Sequence, residues 1–305
     1  MARLVFLGTP EAAVAPLRTL VAAGHDVALV VTRPDKRRGR GSQLVSSPVK
    51  AAALELGLDV TDDLADATGV GAELGVVVAY GRIVPVAVLD ELPMVNLHFS
   101  LLPRWRGAAP VERAILEGDA ETGVCLMAVE AGLDTGAVYA EEATAIDPDE
   151  TADELRTRLV AIGCRMLEEH LAVGRTGLPV PREQAGNPSY ADKLAAHELE
   201  LDWTLPAMHL ARVVRLGRAW TTFRGRRVRV VAAAPAAAAP IQPPASDDPA
   251  AVPLLGPGEL RGTVVGAGGA SSLALRTVQP EGKQPMEAEA WLRGVRPEPD
   301  ERLGS

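Results

Sequence analysis

A chain of 305 residues is more than one hydrophobic core usually fills, so two domains are expected. With 47% hydrophobic and 23% charged residues it has the balance of a water-soluble globular protein, and no apolar run reaches the roughly 18 residues that a membrane-spanning helix needs, so none is expected. The net charge of −9 argues against indiscriminate nucleic-acid binding, and the two cysteines, Cys125 and Cys164, have no second Cys or His at ligand spacing, which argues against a disulfide framework and a cysteine-based metal site.

Residues 3–7 (RLVFL) form a short apolar run closed by Gly8-Thr9-Pro10, which reads as a buried first strand and a tight turn. The run is too short for the apolar stretch of a signal peptide, and the expected compartment is the cytoplasm. Residues 11–23 place Val14, Leu17, Leu20 and Val21 on one helical face before Gly24. Val27–Val31 is a second buried strand, residues 47–56 a helix opened by Ser47-Pro48, and residues 74–80 (LGVVVAY) a third strand before Gly81. This alternation predicts an α/β fold: a Rossmann-like, mostly parallel sheet with helices on both faces and right-handed crossovers. Ligands on such sheets bind beyond the carboxyl ends of the strands, so the loops after Leu7, Val31, Tyr80 and Val95 open on one side, with Asn96 and His98 at that edge.

Residues 179–192 are polar and rich in Pro and Gly, and 179–198 is expected as an inter-domain linker between a catalytic domain at 1–178 and a C-terminal domain at 199–305. A helix is predicted over 205–217, followed by strand-like runs at 226–233, 260–266 and 272–279, which suggest a small, OB-like β-barrel. The Ala/Pro tract 232–253 reads as an extended loop between two of these strands.

Charge is unevenly spread. The acidic excess lies in residues 1–205, whereas no acidic residue interrupts Trp203 to Arg229, a stretch that holds Arg212, Arg215, Arg218, Arg224, Arg226, Arg227 and Arg229. A second basic cluster comprises Arg33, Lys36, Arg37, Arg38 and Arg40, with only Asp35 against it. Such local patches, not the whole-chain charge, govern binding to phosphate.

The chemistry concentrates in residues 95–110 (VNLHFSLLPRWRGAAP). Asn96 and His98 lie two apart at a strand end and so share a face. An imidazole moves protons near neutral pH, and a carboxamide NH2 donates to a developing oxyanion, a pairing suited to acyl transfer. Residues 124–139 read as strand, Gly-bounded loop and strand, with Asp134 between Gly132 and Gly136; its carboxylate is placed to orient His98 and to favour the charged ring.

Taken with GTP at 8–10, RPDKRRGRG at 33–41, SSPVK at 46–50, VVVAYG at 76–81, NLHFSLLPRWRGAAP at 96–110, GDAETGVCLM at 118–127, GLDTGAV at 132–138, LDWT at 201–204 and VQPEGKQPM at 278–286, the chain resembles the methionyl-tRNA formyltransferases, which belong to the folate-dependent formyltransferases. The resemblance implies formyl transfer from 10-formyltetrahydrofolate to the amino group of initiator methionyl-tRNA through a tetrahedral intermediate. Asn96 would stabilise the oxyanion, His98 would act as general acid and base, and Asp134 would hold His98. Ser100, Leu101, Leu102 and Pro103 would line the folate site, with Val78, Ala79, Tyr80, Gly81, Ala131, Gly132, Leu133 and Asp134 closing the pterin pocket. No metal is implied, because the leaving folate nitrogen needs only one proton. The loop Arg33–Gly41 would reach the tRNA acceptor end with Arg40 as its main contact, and Arg212, Arg215, Arg224, Arg226, Arg227 and Arg229 would hold the tRNA backbone. A monomer without membrane attachment is expected.

Three places depart from the family pattern. The crossover at 57–75 is short, Phe99 adds bulk beside His98, and residues 213–223 lack an Asn-Pro turn. The alternative acceptor is an amino-sugar nucleotide, whose formyltransferases share the Asn, His and Asp set and can carry a small second domain. The basic loop and second domain argue against a glycinamide ribonucleotide enzyme. A dinucleotide-dependent oxidoreductase is disfavoured because FLGTPE at 6–11 lacks the G-x-G-x-x-G turn. The Asn96, His98 and Asp134 set disfavours a non-catalytic RNA-binding protein.

Overall fold

The computed structural model describes residues 1–37, 44–236 and 255–305. They fall into two compact units: Met1–Ala114, Asp119–Asp147 and Glu154–Lys193 form the first, and Ile115–Gly118, Pro148–Asp153 and Leu194–Ser305 the second.

The first unit is built on seven strands: β1 (Arg3–Gly8), β2 (Asp26–Val31), β3 (Val60–Thr61), β4 (Leu74–Val78), β5 (Met94–His98), β6 (Glu121–Ala128) and β7 (Val138–Ala145). Their order in the sheet is β7-β6-β5-β4-β1-β2-β3. The run from β5 to β3 is parallel, and β6 and β7 add an antiparallel pair at one edge. Leu4, Val5, Phe6 and Leu7 of β1 are all wholly buried, as a parallel strand covered on both faces requires. One face packs Val5, Leu7, Val31, Val77 and Met94 into a single apolar cluster with Tyr80 and Leu92.

The helices are α1 (Val14–Ala22), α2 (Pro48–Glu55), α3 (Val86–Glu91), α4 (Pro110–Glu117) and α5 (Ala152–His170). Residues 11–13, expected in the first helix, form a 3-10 turn ahead of it. The Ser47 hydroxyl accepts the Lys50 amide at 3.0 Å and Pro48 occupies the first turn, so α2 starts where its cap and its proline dictate. The strand expected to reach Tyr80 stops at Val78, because Ala79 turns the chain in the left-handed region (φ 48°). Between β3 and β4 the chain makes a 3-10 turn, Leu64–Thr68, in keeping with the short crossover.

The second unit holds α6 (Ala207–Arg215), six strands and α7 (Ala288–Val295). The strands are β8 (Trp220–Phe223), β9 (Arg226–Pro235), β10 (Leu260–Arg261), β11 (Val264–Ala267), β12 (Ser271–Pro280) and β13 (Met286–Glu287). They form one antiparallel sheet in the order β8-β9-β12-β11-β10, with β13 on β12. The run expected at 260–266 is two strands, parted at Gly262 (φ 57°). The tract expected as a loop from 232 begins as strand: Ala232 to Pro235 pair with Thr277 to Leu273, because β12 is long enough to continue the ladder. Residues 237–254 of that tract lie outside the described residues. The core of this unit gathers Leu210, Val213, Val214 and Trp203 against Phe223 and Trp291, whose rings meet edge to face at 5.4 Å.

Residues 179–193, within the stretch expected as a linker, belong to the first unit. Arg182 exchanges backbone hydrogen bonds with Val138, and Tyr190–Ala191 pairs in parallel with Arg106–Gly107.

Candidate active site

The carboxyl ends of β1, β2, β4 and β5 share one edge of the sheet because these strands are parallel. His98, 5% exposed, closes β5 there, and Asn96 is half-buried two residues before it. β6 runs the other way, pairing Cys125 with His98 and Ala128 with Val95. The connection after Ala128 therefore starts at the far end of β5 and folds back to bring Asp134 to His98. His98 Nδ1 stands 3.6 Å from Asp134 Oδ2.

The ring is held from its other side as well. His98 Nε2 donates to the Trp105 carbonyl oxygen at 2.8 Å. That carbonyl is aimed by a tightly fixed loop. Trp105 adopts φ 62°, and the Ser100 hydroxyl donates to the Arg104 carbonyl at 2.6 Å. The Asp119 carboxylate accepts from Trp105 Nε1 at 2.7 Å and from Arg104 Nε and Nη2 at 2.8 and 2.6 Å. Arg104 also lies over the Trp105 ring at 4.5 Å.

Asp134 has φ 52°, a conformation costing about 1–2 kcal/mol for most residues and, glycine aside, tolerated best by Asn and Asp. The Gly107 amide donates to its Oδ2 at 2.8 Å, so the carboxylate is fixed by backbone as well as placed at His98. Gly107 itself (φ 123°) could take no side chain: a Cβ there would stand 2.9 Å from the Ala191 carbonyl oxygen.

The residues expected around the folate divide into two groups. Ser100 and Leu102 are buried, Ser100 spending its hydroxyl on the turn and Leu102 packing with Cys125, Met127 and Val138; Val78 and Tyr80 are buried too. Ala79, Gly81, Ala131, Gly132 and Leu133 are exposed, and Leu101 and Pro103 half-buried. Among the described residues no group of three or more His, Cys, Asp and Glu is arranged to hold a metal, and no helix is long and apolar enough to cross a membrane.

Of the basic residues, Arg33 is half-buried and Lys36 exposed, with Lys36 and Arg37 pairing through their backbone with Leu44 and Val45. Arg38 and Arg40 lie outside the described residues. In the second unit Arg212 donates to the Leu116 and Glu117 carbonyls and Arg215 to the Glu150 carbonyl. Arg224 pairs with Glu301 at 2.5 and 2.6 Å, and this guanidinium helps hold the Glu301 carboxyl at about 2. Arg229 donates to Gly217 and Gln279, Arg227 lies 4.1 Å over the Trp220 ring, and Arg226 is exposed.

Sequence reasoning passed over Asp119 and Gln184. Asp119 sits in the quoted GDAETG stretch, but its partners Arg104 and Trp105 lie 15 and 14 residues away and share no periodicity with it. Gln184 stood in the segment expected as a linker; its side chain reaches Arg106, Asp134 and Gly136.

Cys125 lies behind the site, where its sulfur accepts the Leu102 amide at 3.4 Å. Burial pushes its thiol up to about 12, which leaves about 1,000-fold less thiolate than an ordinary cysteine has at a given lower pH. Cys125 is therefore expected to resist a thiol reagent at mildly alkaline pH in the native protein and to react fully on unfolding. Mass-spectrometric mapping of the labelled cysteine checks this, and rapid native labelling of Cys125 would refute it.

A formyl transferase family model matches residues 2–171, and a formyl transferase C-terminal domain model matches residues 193–296. The chain is 40% identical to the methionyl-tRNA formyltransferase of Streptomyces coelicolor, with 99% of both chains covered. It is 48% identical to that of Dinoroseobacter shibae, over 75% of this chain and 81% of the other. In fold it is similar to the N-formyltransferase from Helicobacter canadensis, solved with folinic acid and dTDP-3-aminofucose. The TM-score is 0.67 at 16% identity, covering 92% of this chain and 100% of that one.

Proposed function

The chain belongs to the formyl transferase family, and from that premise we propose that it transfers the formyl group of 10-formyltetrahydrofolate to the amino group of initiator methionyl-tRNA in the cytoplasm. The observation that carries this reading is the 40% identity to a methionyl-tRNA formyltransferase along 99% of both chains, second unit included. An amino-sugar enzyme shares the architecture, but at 16% identity.

In the proposed reaction the acceptor nitrogen bonds to the formyl carbon, and the bond from that carbon to the folate nitrogen breaks. One proton leaves the amine and one is delivered to the departing nitrogen. Asn96 donates its side-chain NH to the formyl oxygen as negative charge develops there. His98 takes the proton and returns it through Nδ1, since Nε2 is committed to the Trp105 carbonyl. Asp134 keeps the ring in register and stabilises it while it is charged. Arg33, Lys36 and the basic residues up to Arg40 supply the arm for the acceptor end. In the second unit, exposed Arg226 and Arg227, the latter stacked over Trp220, would meet backbone phosphates.

The test offers the purified protein 10-formyltetrahydrofolate with charged initiator tRNA and, separately, with a dTDP-linked amino sugar. Formylmethionyl-tRNA is the expected product; formylation of the sugar alone overturns the acceptor assignment. Binding of the tRNA is expected to weaken about 100-fold between about 50 and 200 mM salt if about four phosphates are neutralised. A flat salt response would count against the basic surfaces.

A further inference from the structure

The Gln184 carboxamide uses both of its ends at once. Its Nε2 donates to the backbone carbonyls of Asp134 and Gly136, each at 2.9 Å. Its Oε1 accepts from Arg106 Nε at 3.0 Å and Nη2 at 2.6 Å. Two carbonyls require the NH2 on one side and a guanidinium requires the oxygen on the other, so the partners fix the orientation of the amide. The contacts join the two backbone segments that meet at His98. One carries Asp134; the other carries Arg106 and the Gly107 amide that grips the Asp134 carboxylate.

We infer that Gln184 is a positioning residue that sets the separation of Asp134 from His98. It touches no reacting atom. It acts by drawing the carbonyls on either side of Thr135 toward the Arg106 segment, and so keeps a left-handed Asp134 at the distance its role requires. The chemistry of the position is specific: only a side chain with two donors on one end, an acceptor on the other and the length of glutamine satisfies all three partners. This inference rests on the functional reading above for its kinetic test and stands apart from it for its spectroscopic one.

Two variants separate the ends of the amide. Gln184→Met keeps the length and removes every hydrogen bond, and Gln184→Glu keeps the acceptor for Arg106 and removes the donors to Asp134 and Gly136. Both are expected to lower kcat about 100-fold, the cost of a misplacement near 1 Å, with little change in KM for tRNA. In an Asp134→Asn background, Gln184→Met is expected to add little, because the residue it serves is already disabled. The ring nitrogen resonances of His98, followed by NMR without substrate and assigned with His98→Gln, are expected to move in both Gln184 variants.

Losses that multiply in the double variant, wild-type kcat in Gln184→Glu, or unmoved His98 resonances would each overturn the inference. If wild-type protein fails to formylate tRNA while the His98 resonances still respond to Gln184, the acceptor reading falls and the positioning role stands. If wild-type protein formylates tRNA and those resonances stay fixed, the reverse holds.

Discussion

Replacing His98 with alanine is expected to lower the formylation rate about 100- to 10,000-fold, the range that general acid–base groups contribute. The loss should fall on kcat rather than on folate binding, because His98 is 5% exposed, with Nε2 on the Trp105 carbonyl and Nδ1 facing Asp134. Removing the ring also strips the Trp105 carbonyl of its donor, so a loop disturbance could imitate a chemical defect. His98→Gln is the control, since a carboxamide can still donate to that carbonyl but cannot shuttle a proton. Single-turnover formylation of charged tRNA by the two variants separates these effects. A deep loss in both supports proton transfer by His98. Recovery in His98→Gln makes the residue a prop for the loop, and near-normal turnover in His98→Ala removes it from the mechanism.

Trp203→Ala is expected to destabilise the second unit by about 3–5 kcal/mol, the range for truncating a buried tryptophan. Trp203 is 4% exposed in the core with Leu210, Val213 and Trp291, and its Nε1 donates to the buried Thr221 hydroxyl at 2.9 Å. The variant therefore opens a cavity and leaves a buried hydroxyl without its donor, and both act in the same direction. Trp203→Phe restores most of the volume without the donor and should recover much of the stability. Urea unfolding followed by circular dichroism measures both. A midpoint for Trp203→Ala equal to wild type would mean that this tryptophan is not part of the supporting core.

Particular residues show what the sequence makes readable. Leu4 to Leu7 and Val76 to Val78 are unbroken apolar runs, and a strand buried on both faces has no other way to be written. Asn96 and His98 are legible as neighbours on one strand face and Asp134 as the carboxylate of a glycine-bounded loop, but only the flanking motifs join the three, and the 3.6 Å approach of Asp134 to His98 comes from the fold. Helix α5 carries its own signal outside the motifs that hold the chemistry: Leu155, Leu159, Ile162 and Met166 recur at helical spacing and are all buried. The end of β4 at Val78 was hidden because Ala79 carries no mark of a left-handed turn. Gln184 was illegible for a different reason. Its partners Asp134 and Arg106 lie 50 and 78 residues upstream, and a polar, proline-rich stretch offers no periodicity to point at them.

The pairing of Tyr190–Ala191 with Arg106–Gly107 bears on the order in which the protein is made. A nascent chain that has emerged through residue 170 already contains every strand of the first sheet and all three proposed reacting side chains. Its loop at Arg106 still lacks the neighbour that arrives more than eighty residues later, as the Trp105–Ser189 bond illustrates. The contacts that fix this loop are therefore complete only once residues 184–191 have followed the last strand of the first sheet. A chain cut short before residue 184 would hold the three proposed reacting side chains without the Gln184 contacts to Asp134, Gly136 and Arg106.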